Sequence, residues 1–239
     1  MVSDRIHKTL QQKSRAHQTE LRRLGQASED KPLSERVVFI KNTDQIRGIN
    51  TLLQDQELDR EEFIFYFDRL AVVLIEEATN LSMCFQPCEV PTPVAGCTYH
   101  GLRSTGEFSA VVVLRGGSCL ETGLKRVVPD CRTGRMLIQT NFRTGEPELH
   151  HYKLADDVST HQCVFLLDVQ MSSGGAALMA VRVLLDHGVA EDRIVVVTYL
   201  AGKQGLHRLN AVYPDIKVVV CRIVGDLESR WVESRYLGC

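Results

Sequence analysis

The chain has no excess of basic residues. Its 28 lysines and arginines stand against 30 aspartates and glutamates, a formal net charge of −2 over 239 residues. Proteins that grip nucleic acid generally carry a basic surplus for the phosphates, so no nucleic-acid partner is expected. No apolar run approaches the ~20 residues a helix needs to cross a bilayer. The opening residues, MVSDRIHKTL, also lack the apolar centre of a secretory leader. A cytoplasmic location with no membrane partner is the default expectation. Neither G-x-x-x-x-G-K-[ST] nor a G-x-G-x-x-G turn occurs, which removes P-loop kinases and Rossmann dehydrogenases from consideration. There is no C-x-x-C pair either. Cys84, Cys88 and Cys97, with His100 nearby, fit no common zinc spacing, so no metal held by side chains is expected. The eight cysteines, several inside apolar runs as Cys163 and Cys221 are, read as reduced and mostly buried thiols.

A chain of this length can bury one substantial core, here with an N-terminal extension. Residues 1–43 read as a polar helical extension and linker. Ile6, Leu10 and Leu21 form only a thin apolar seam among charges, and Gly25 to Ser34 has linker composition. The extension is either a solvated helix or an arm that packs on a partner. Residues 44–239 form the domain proper. A helix is predicted from Asp59, which can cap it with Glu62 three residues on, and Phe63, Phe67, Leu70, Val73 and Leu74 continue at helical spacing. Pro87, Pro91 and Pro93 make the stretch from Cys84 to Tyr99 a loop or an edge strand. Apolar runs then follow at Ala110–Leu114, Met136–Ile138, Val164–Leu167, Ile194–Leu200 and Ile216–Cys221, several separated by helix-like stretches. Strands alternating with helices predict an α/β fold with a parallel sheet covered on both faces. In such sheets ligands bind beyond the carboxyl ends of the strands.

The most informative stretch is CVFLLDVQMSSGGAALMAVRVLLDHGV, Cys163 to Val189. An apolar strand ends in Asp168. A turn of Ser172, Ser173, Gly174 and Gly175 follows, and Ala177, Val181, Leu184 and Leu185 then repeat at helical spacing. Unpaired amides and the positive end of a helix dipole would meet an anion at that turn, and glycine lets backbone approach a phosphate closely. The alternative is an ordinary strand-to-helix connection.

Asp168-Val169-Gln170-Met171-Ser172-Ser173-Gly174-Gly175-Ala176 resembles the Asp-Pro-Met-Leu-Ala-Thr-Gly-Gly-Ser loop of uracil phosphoribosyltransferases, a branch of the type I phosphoribosyltransferases. The resemblance runs from about Asp44 onward. It is nearest to the uracil phosphoribosyltransferase-like half of fungal and animal uridine kinases, through Arg60-Glu61-Glu62-Phe63-Ile64-Phe65-Tyr66, Thr144-Gly145-Glu146-Pro147-Glu148-Leu149-His150 and the run from Met179 to Gly188. The P-loop kinase half of those proteins is missing, so the chain reads as a stand-alone paralogue or a fragment.

The resemblance implies a type I phosphoribosyltransferase fold and the conversion of uracil and phosphoribosyl diphosphate (PRPP) to UMP and diphosphate. It also implies Mg²⁺ arriving with PRPP, a homo-oligomer, and a uridine kinase as possible partner. By the same likeness Asp168 holds the ribose hydroxyls, while Ser172, Ser173, Gly174, Gly175 and Ala176 bind the 5-phosphate. Leu114-Arg115-Gly116-Gly117-Ser118 resembles the family's Leu-Arg-Ala-Gly diphosphate loop, with Arg115, Gly116 and Gly117 on the leaving group; apart from the likeness, Arg115 is a surface arginine in a tight turn.

Three departures oppose full activity. Gln139-Thr140 stands where the family carries Tyr-Arg, leaving Arg143 as the candidate substitute. The uracil loop Pro-Gly-x-Gly-Asp-x-Gly-Asp is gone from the tail after Val224, although Arg235-Tyr236-Leu237-Gly238 keeps the motif's end and leaves Tyr236 and Gly238 as base-site candidates. The tail therefore reads as complete at its end and shortened inside. Gln54-Asp55 replaces Arg-Asp. The leading expectation is uracil phosphoribosyl transfer, weak or lost; the alternative is a noncatalytic PRPP- or UMP-binding module that regulates or dimerises with uridine kinase.

Overall fold

The computed structural model describes residues 32–82, 85–141, 143–225 and 230–238. Residues 1–31 of the N-terminal segment and Cys84 lie outside the described residues. Val37–Phe39, within the stretch read as extension and linker, form a strand, β1, that joins the main sheet. Helix α1, Asp44–Gln54, opens with the Thr43 hydroxyl accepting from the Ile46 amide at 3.3 Å. Helix α2, Arg60–Ser82, starts as the sequence predicts, with an Asp59 carboxylate oxygen accepting from the Glu62 amide at 2.8 Å.

The proline-bearing stretch is a separate two-stranded antiparallel ribbon of β2, Phe85–Pro91, and β3, Thr98–Ser104. The expectation of a loop or an edge strand therefore captured its exclusion from the central sheet but not its self-pairing. Then come β4, Phe108–Leu114, the short α3, Glu121–Val127, and β5, Arg132–Thr140. They are followed by β6, Pro147–Lys153, β7, Cys163–Leu167, and the two-residue β8, Gln170–Met171. Helix α4, Gly175–Asp186, leads to β9, Ile194–Gly202, α5, Lys203–Val212, β10, Lys217–Val224, and α6, Val232–Leu237.

The main sheet runs β1-β10-β9-β7-β4-β5-β6, and β8 pairs with β9 beyond the end of β7. All pairings are parallel except β5 with β6. Side chains alternate across a strand, and each central strand feeds two cores. Ala110, Val112, Phe165, Leu167, Val197 and Tyr199 belong to one, with Phe63, Phe67, Leu70 and Leu74 of α2 and Leu53 of α1. Val111, Val113, Val164, Leu166 and Val196 belong to the other, with Val181 and Leu184 of α4 and Leu209 of α5. Burial on both faces explains why these strands read as unbroken apolar runs. Edge strand β6 is mostly exposed and carries His150 and His151 at the surface. The six described cysteines form no disulfide, and Cys119, Cys131 and Cys163 are buried. No described helix is long and apolar enough to cross a membrane.

Candidate functional site

Register brings the two glycine turns to one edge of the sheet. Strands β4 and β7 are parallel with Val112 opposite Leu167, so Asp168 follows one residue and Arg115 three residues beyond the same rung. The chain turns there through a cis Leu114–Arg115 peptide into a 3-10 turn, Gly116–Leu120. A side chain at Gly117 would overlap the Leu167 carbonyl oxygen. At Gly116, a Cβ would lie 3.3 Å from Asp168 Oδ1 and 2.9 Å from Arg230 Nη2. This turn seats against Asp168 because both positions lack a side chain.

The second turn hangs from β9. Gln170 and Met171 pair with Leu200 and Ala201, which carries Ser172 and Ser173 to the start of α5. Gly174 adopts φ +78°, a conformation costly for other residues, and a Cβ on it would lie 2.9 Å from the Gly205 carbonyl oxygen. Arg208 Nη1 donates to the Ser173 carbonyl at 2.8 Å, bracing the turn from α5. The first helical bond of α4 runs from the Leu178 amide to the Gly174 carbonyl. The amides of Gly175, Ala176 and Ala177 therefore precede the helical ladder and are of the kind that accept an anion. Pro147 borders this turn, 3.5 Å from where a Gly175 Cβ would stand.

The electrostatics centre on four charges. Asp168 is 2% exposed, and its Oδ1 accepts from Arg230 Nη2 at 2.5 Å. Burial raises the Asp168 pKa above the ordinary carboxylate value, and Arg230 opposes that rise. Asp168 in turn raises the Arg230 pKa further. Arg115 Nε donates to Glu233 Oε1 at 3.0 Å, and the Glu233 side chain is mostly buried. Glu233 acts on Asp168 as well, raising its pKa. Beneath them, burial pushes the Cys119 thiol up to about 12, with Glu233 adding to the rise. Two acids and two bases thus pair crosswise in one cluster.

Arg230 and Glu233 come from the tail, which is pinned to β8 on one side and to α1 and α2 on the other. The Trp231 amide donates to Gln170 Oε1 at 3.3 Å, and Val232 is fully buried. Arg235 donates to the carbonyls of Asp55 at 2.7 Å and Leu58 at 2.5 Å, with its guanidinium 4.7 Å from the Phe63 ring centre. The Tyr236 hydroxyl donates to Asp68 Oδ1 at 2.7 Å, and Arg60 donates to the Tyr236 carbonyl at 3.0 Å. Gly238 sits against that same Arg60 guanidinium. The retained Arg235-Tyr236-Leu237-Gly238 end is therefore a brace against α2.

Arg143 stands exposed in the β5–β6 turn, its amide donating to Asn141 Oδ1 at 2.7 Å. Gln139 and Thr140 are exposed at the end of β5 and bring no cation. Gln54 is exposed, and its amide donates to the Tyr199 hydroxyl at 3.4 Å. A cavity of about 840 Å³ lies beside that pair, between α1 and β10, and includes neither Asp168 nor Arg115. Sequence reasoning assigned no role to Arg230 or Glu233. The one available signal was that charged residues occupy a tail where the family's loop is rich in glycine.

Among the described residues, Glu107, Asp157 and His161 bring metal-ligating atoms together, at the opposite, amino-terminal edge of β4 and β7. Arg132 lies among them, donating to both Asp157 oxygens at 3.0 and 3.1 Å and to Glu107, so the group is an ion-pair network in which a guanidinium takes the place a cation would fill. His100 pairs with Glu89 at 3.0 Å on the ribbon, where Cys88 faces Gly101.

Residues 40–235 match the model of a family described as uracil phosphoribosyltransferase. Uridine-cytidine kinase-like 1 of Mus musculus is 41% identical across 85% of this chain and 37% of its own length. A uracil phosphoribosyltransferase of Dictyostelium discoideum is 36% identical across 85% of this chain and 91% of its own. The uridine kinase of Saccharomyces cerevisiae is 31% identical, and this chain spans 50% of it. Among solved structures, the AQ2163 protein of Aquifex aeolicus superposes with a TM-score of 0.69 at 21% identity, covering 84% of this chain and 97% of that one.

Proposed function

The chain belongs to the uracil phosphoribosyltransferase family, and from that membership we propose that the crevice at Asp168 is a PRPP site of pyrimidine salvage whose reaction is phosphoribosyl transfer to uracil. The observation that carries this reading is the seating of the Gly116-Gly117 turn on Asp168, with the Ser172–Gly175 turn at the same edge. The amides from Ser172 to Ala176 hold the 5-phosphate, and Asp168 accepts from the ribose hydroxyls. Arg115, with Gly116 and Gly117, holds the diphosphate as a planar guanidinium suits. The bond between the sugar C1 and the diphosphate oxygen breaks, a bond from uracil N1 to C1 forms, and the N1 proton leaves to solvent. Positioning and charge neutralisation supply most of the rate. Asp168 is the carboxylate that would help to hold a hard cation here, and Mg²⁺ arriving with PRPP would supply neutralisation of the diphosphate charge.

A second reading is a noncatalytic module that binds PRPP or UMP and associates with a uridine kinase chain or with its own copies. It is favoured by the pairing of Arg230 with Asp168 and by the lack of a guanidinium at Gln139-Thr140. Incubation with labelled uracil, PRPP and Mg²⁺ separates the two. UMP formed above an Asp168→Ala control supports transfer, and none supports the module. Arg115→Ala should weaken PRPP more than UMP, and equal losses would reject its diphosphate role.

A further inference from the structure

We infer that the chain's own C-terminal segment competes with PRPP for the crevice, with Arg230 occupying the ribosyl-binding carboxylate and Glu233 the diphosphate-binding guanidinium. The inference rests on the PRPP reading above and names what regulates that site.

Three observations carry it. The first is steric: a glycine at 116 clears space on the diphosphate turn, and Arg230 fills it, its Nη2 lying 2.9 Å from the vacated Cβ position. The second is access. Asp168 is almost wholly buried with the Arg230 guanidinium 2.5 Å from Oδ1, so ribose hydroxyls approaching that oxygen must compete with Arg230 for it. The third is charge sign. Glu233 places a carboxylate on Arg115, so an incoming diphosphate would meet an anion of its own sign. The Ser172–Gly175 turn is braced instead by Arg208 and Gly205, whose contacts fall on backbone from the α5 side.

Displacement is feasible because the anchors and the plug are different residues. Val232, Arg235 and Tyr236 hold the segment to α2 and α1, while the Arg230 side chain remains 41% exposed and can turn into water. Inorganic phosphate, which needs only the Ser172–Gly175 cradle, should be indifferent to the plug. PRPP must expel it.

The test is calorimetry of MgPRPP and of inorganic phosphate on the full chain, on Arg230→Gln, on Glu233→Gln and on the double variant, with folding checked by circular dichroism. PRPP affinity should rise at least tenfold in the double variant, with phosphate affinity within twofold of the parent. Unchanged or weaker PRPP binding, with phosphate still bound, would overturn the competition and leave the crevice assignment intact. Parallel tightening of both ligands would also overturn it. Failure of every form to bind either ligand would bring down the crevice assignment and this inference together. Should the double variant not fold, Trp231 decides, because it is the chain's single tryptophan and lies between the plug residues. PRPP should shift its emission in the parent protein and phosphate should not; PRPP binding with no change in emission would overturn the competition.

Discussion

The unequal exposure of Asp168 and Arg230 makes their pairing asymmetric, and that asymmetry is measurable. The side chains are 3% and 41% exposed. Arg230→Gln leaves a buried carboxylate without its cation, a situation that costs about 3 kcal/mol or more. For a domain of this size 1 kcal/mol corresponds to ~2–4 °C in Tm, so a fall of ~6–12 °C is expected at pH 8. Asp168→Asn instead leaves a guanidinium that can turn into solvent, and the expected change is within ~3 °C. The pH dependence has a definite sign. Burial already lifts the Asp168 pKa above its ordinary 3.8 with Arg230 opposing, and removing Arg230 lifts it further. The folded state then binds that proton more tightly than the unfolded chain does, so stability is gained as pH falls toward the folded value and lost as pH rises through it. The deficit of Arg230→Gln should therefore be largest at pH 8 and shrink toward pH 5, and the double variant Arg230→Gln with Asp168→Asn should recover most of the loss. Thermal melts of the parent and these variants across that range provide the assay. Equal losses from the two single changes, or a deficit that ignores pH, would refute the reasoning.

Gly174→Ala forces a Cβ into a left-handed residue 2.9 Å from the Gly205 carbonyl oxygen. It should cost ~1–2 kcal/mol, lower Tm in calorimetry and weaken phosphate binding at the same turn. Burial holds the Cys119 and Cys131 thiols at about 12 and about 11. Iodoacetamide at pH 8 should therefore label exposed Cys97 in the native protein and reach Cys119 and Cys131 only after denaturation, as peptide mass mapping would show. Tyr236→Phe removes the hydroxyl that the buried Asp68 accepts at 2.7 Å. A loss of ~1–3 kcal/mol is expected in denaturant melts, with Arg126 at 3.5 Å limiting the damage.

The legible parts of the fold were those whose physics is local. Strands β4, β7, β9 and β10 announce themselves because burial on both faces leaves no polar positions, and α2 does so through Asp59 and its phenylalanines. Strands β1 and β8, of three and two residues, are too short to carry a period. Strand β6, reading PELHHYK, is polar because it lies at an edge. The glycine turns were legible for a local reason too, since a missing Cβ is written in the sequence. The plug was not. Its ion pairs join residues 62 and 118 positions apart, and no spacing rule links Arg230 to Asp168 or Glu233 to Arg115. Only the packed tail brings them together, through anchors on α1 and α2 that a linear reading cannot locate.

The first glycine turn follows β4 and the second follows β8, which continues the line of β7 along β9, so the two hang from neighbouring lines of the sheet. Adjacent strands stand roughly 4.8 Å apart, and that gap is fixed by the backbone ladder rather than by any side chain lining it. The sheet thus works as a gauge. Substitutions in the turns can change what is gripped at either jaw, but a ligand whose charged ends are spaced too widely or too closely would be refused whatever residues stand there.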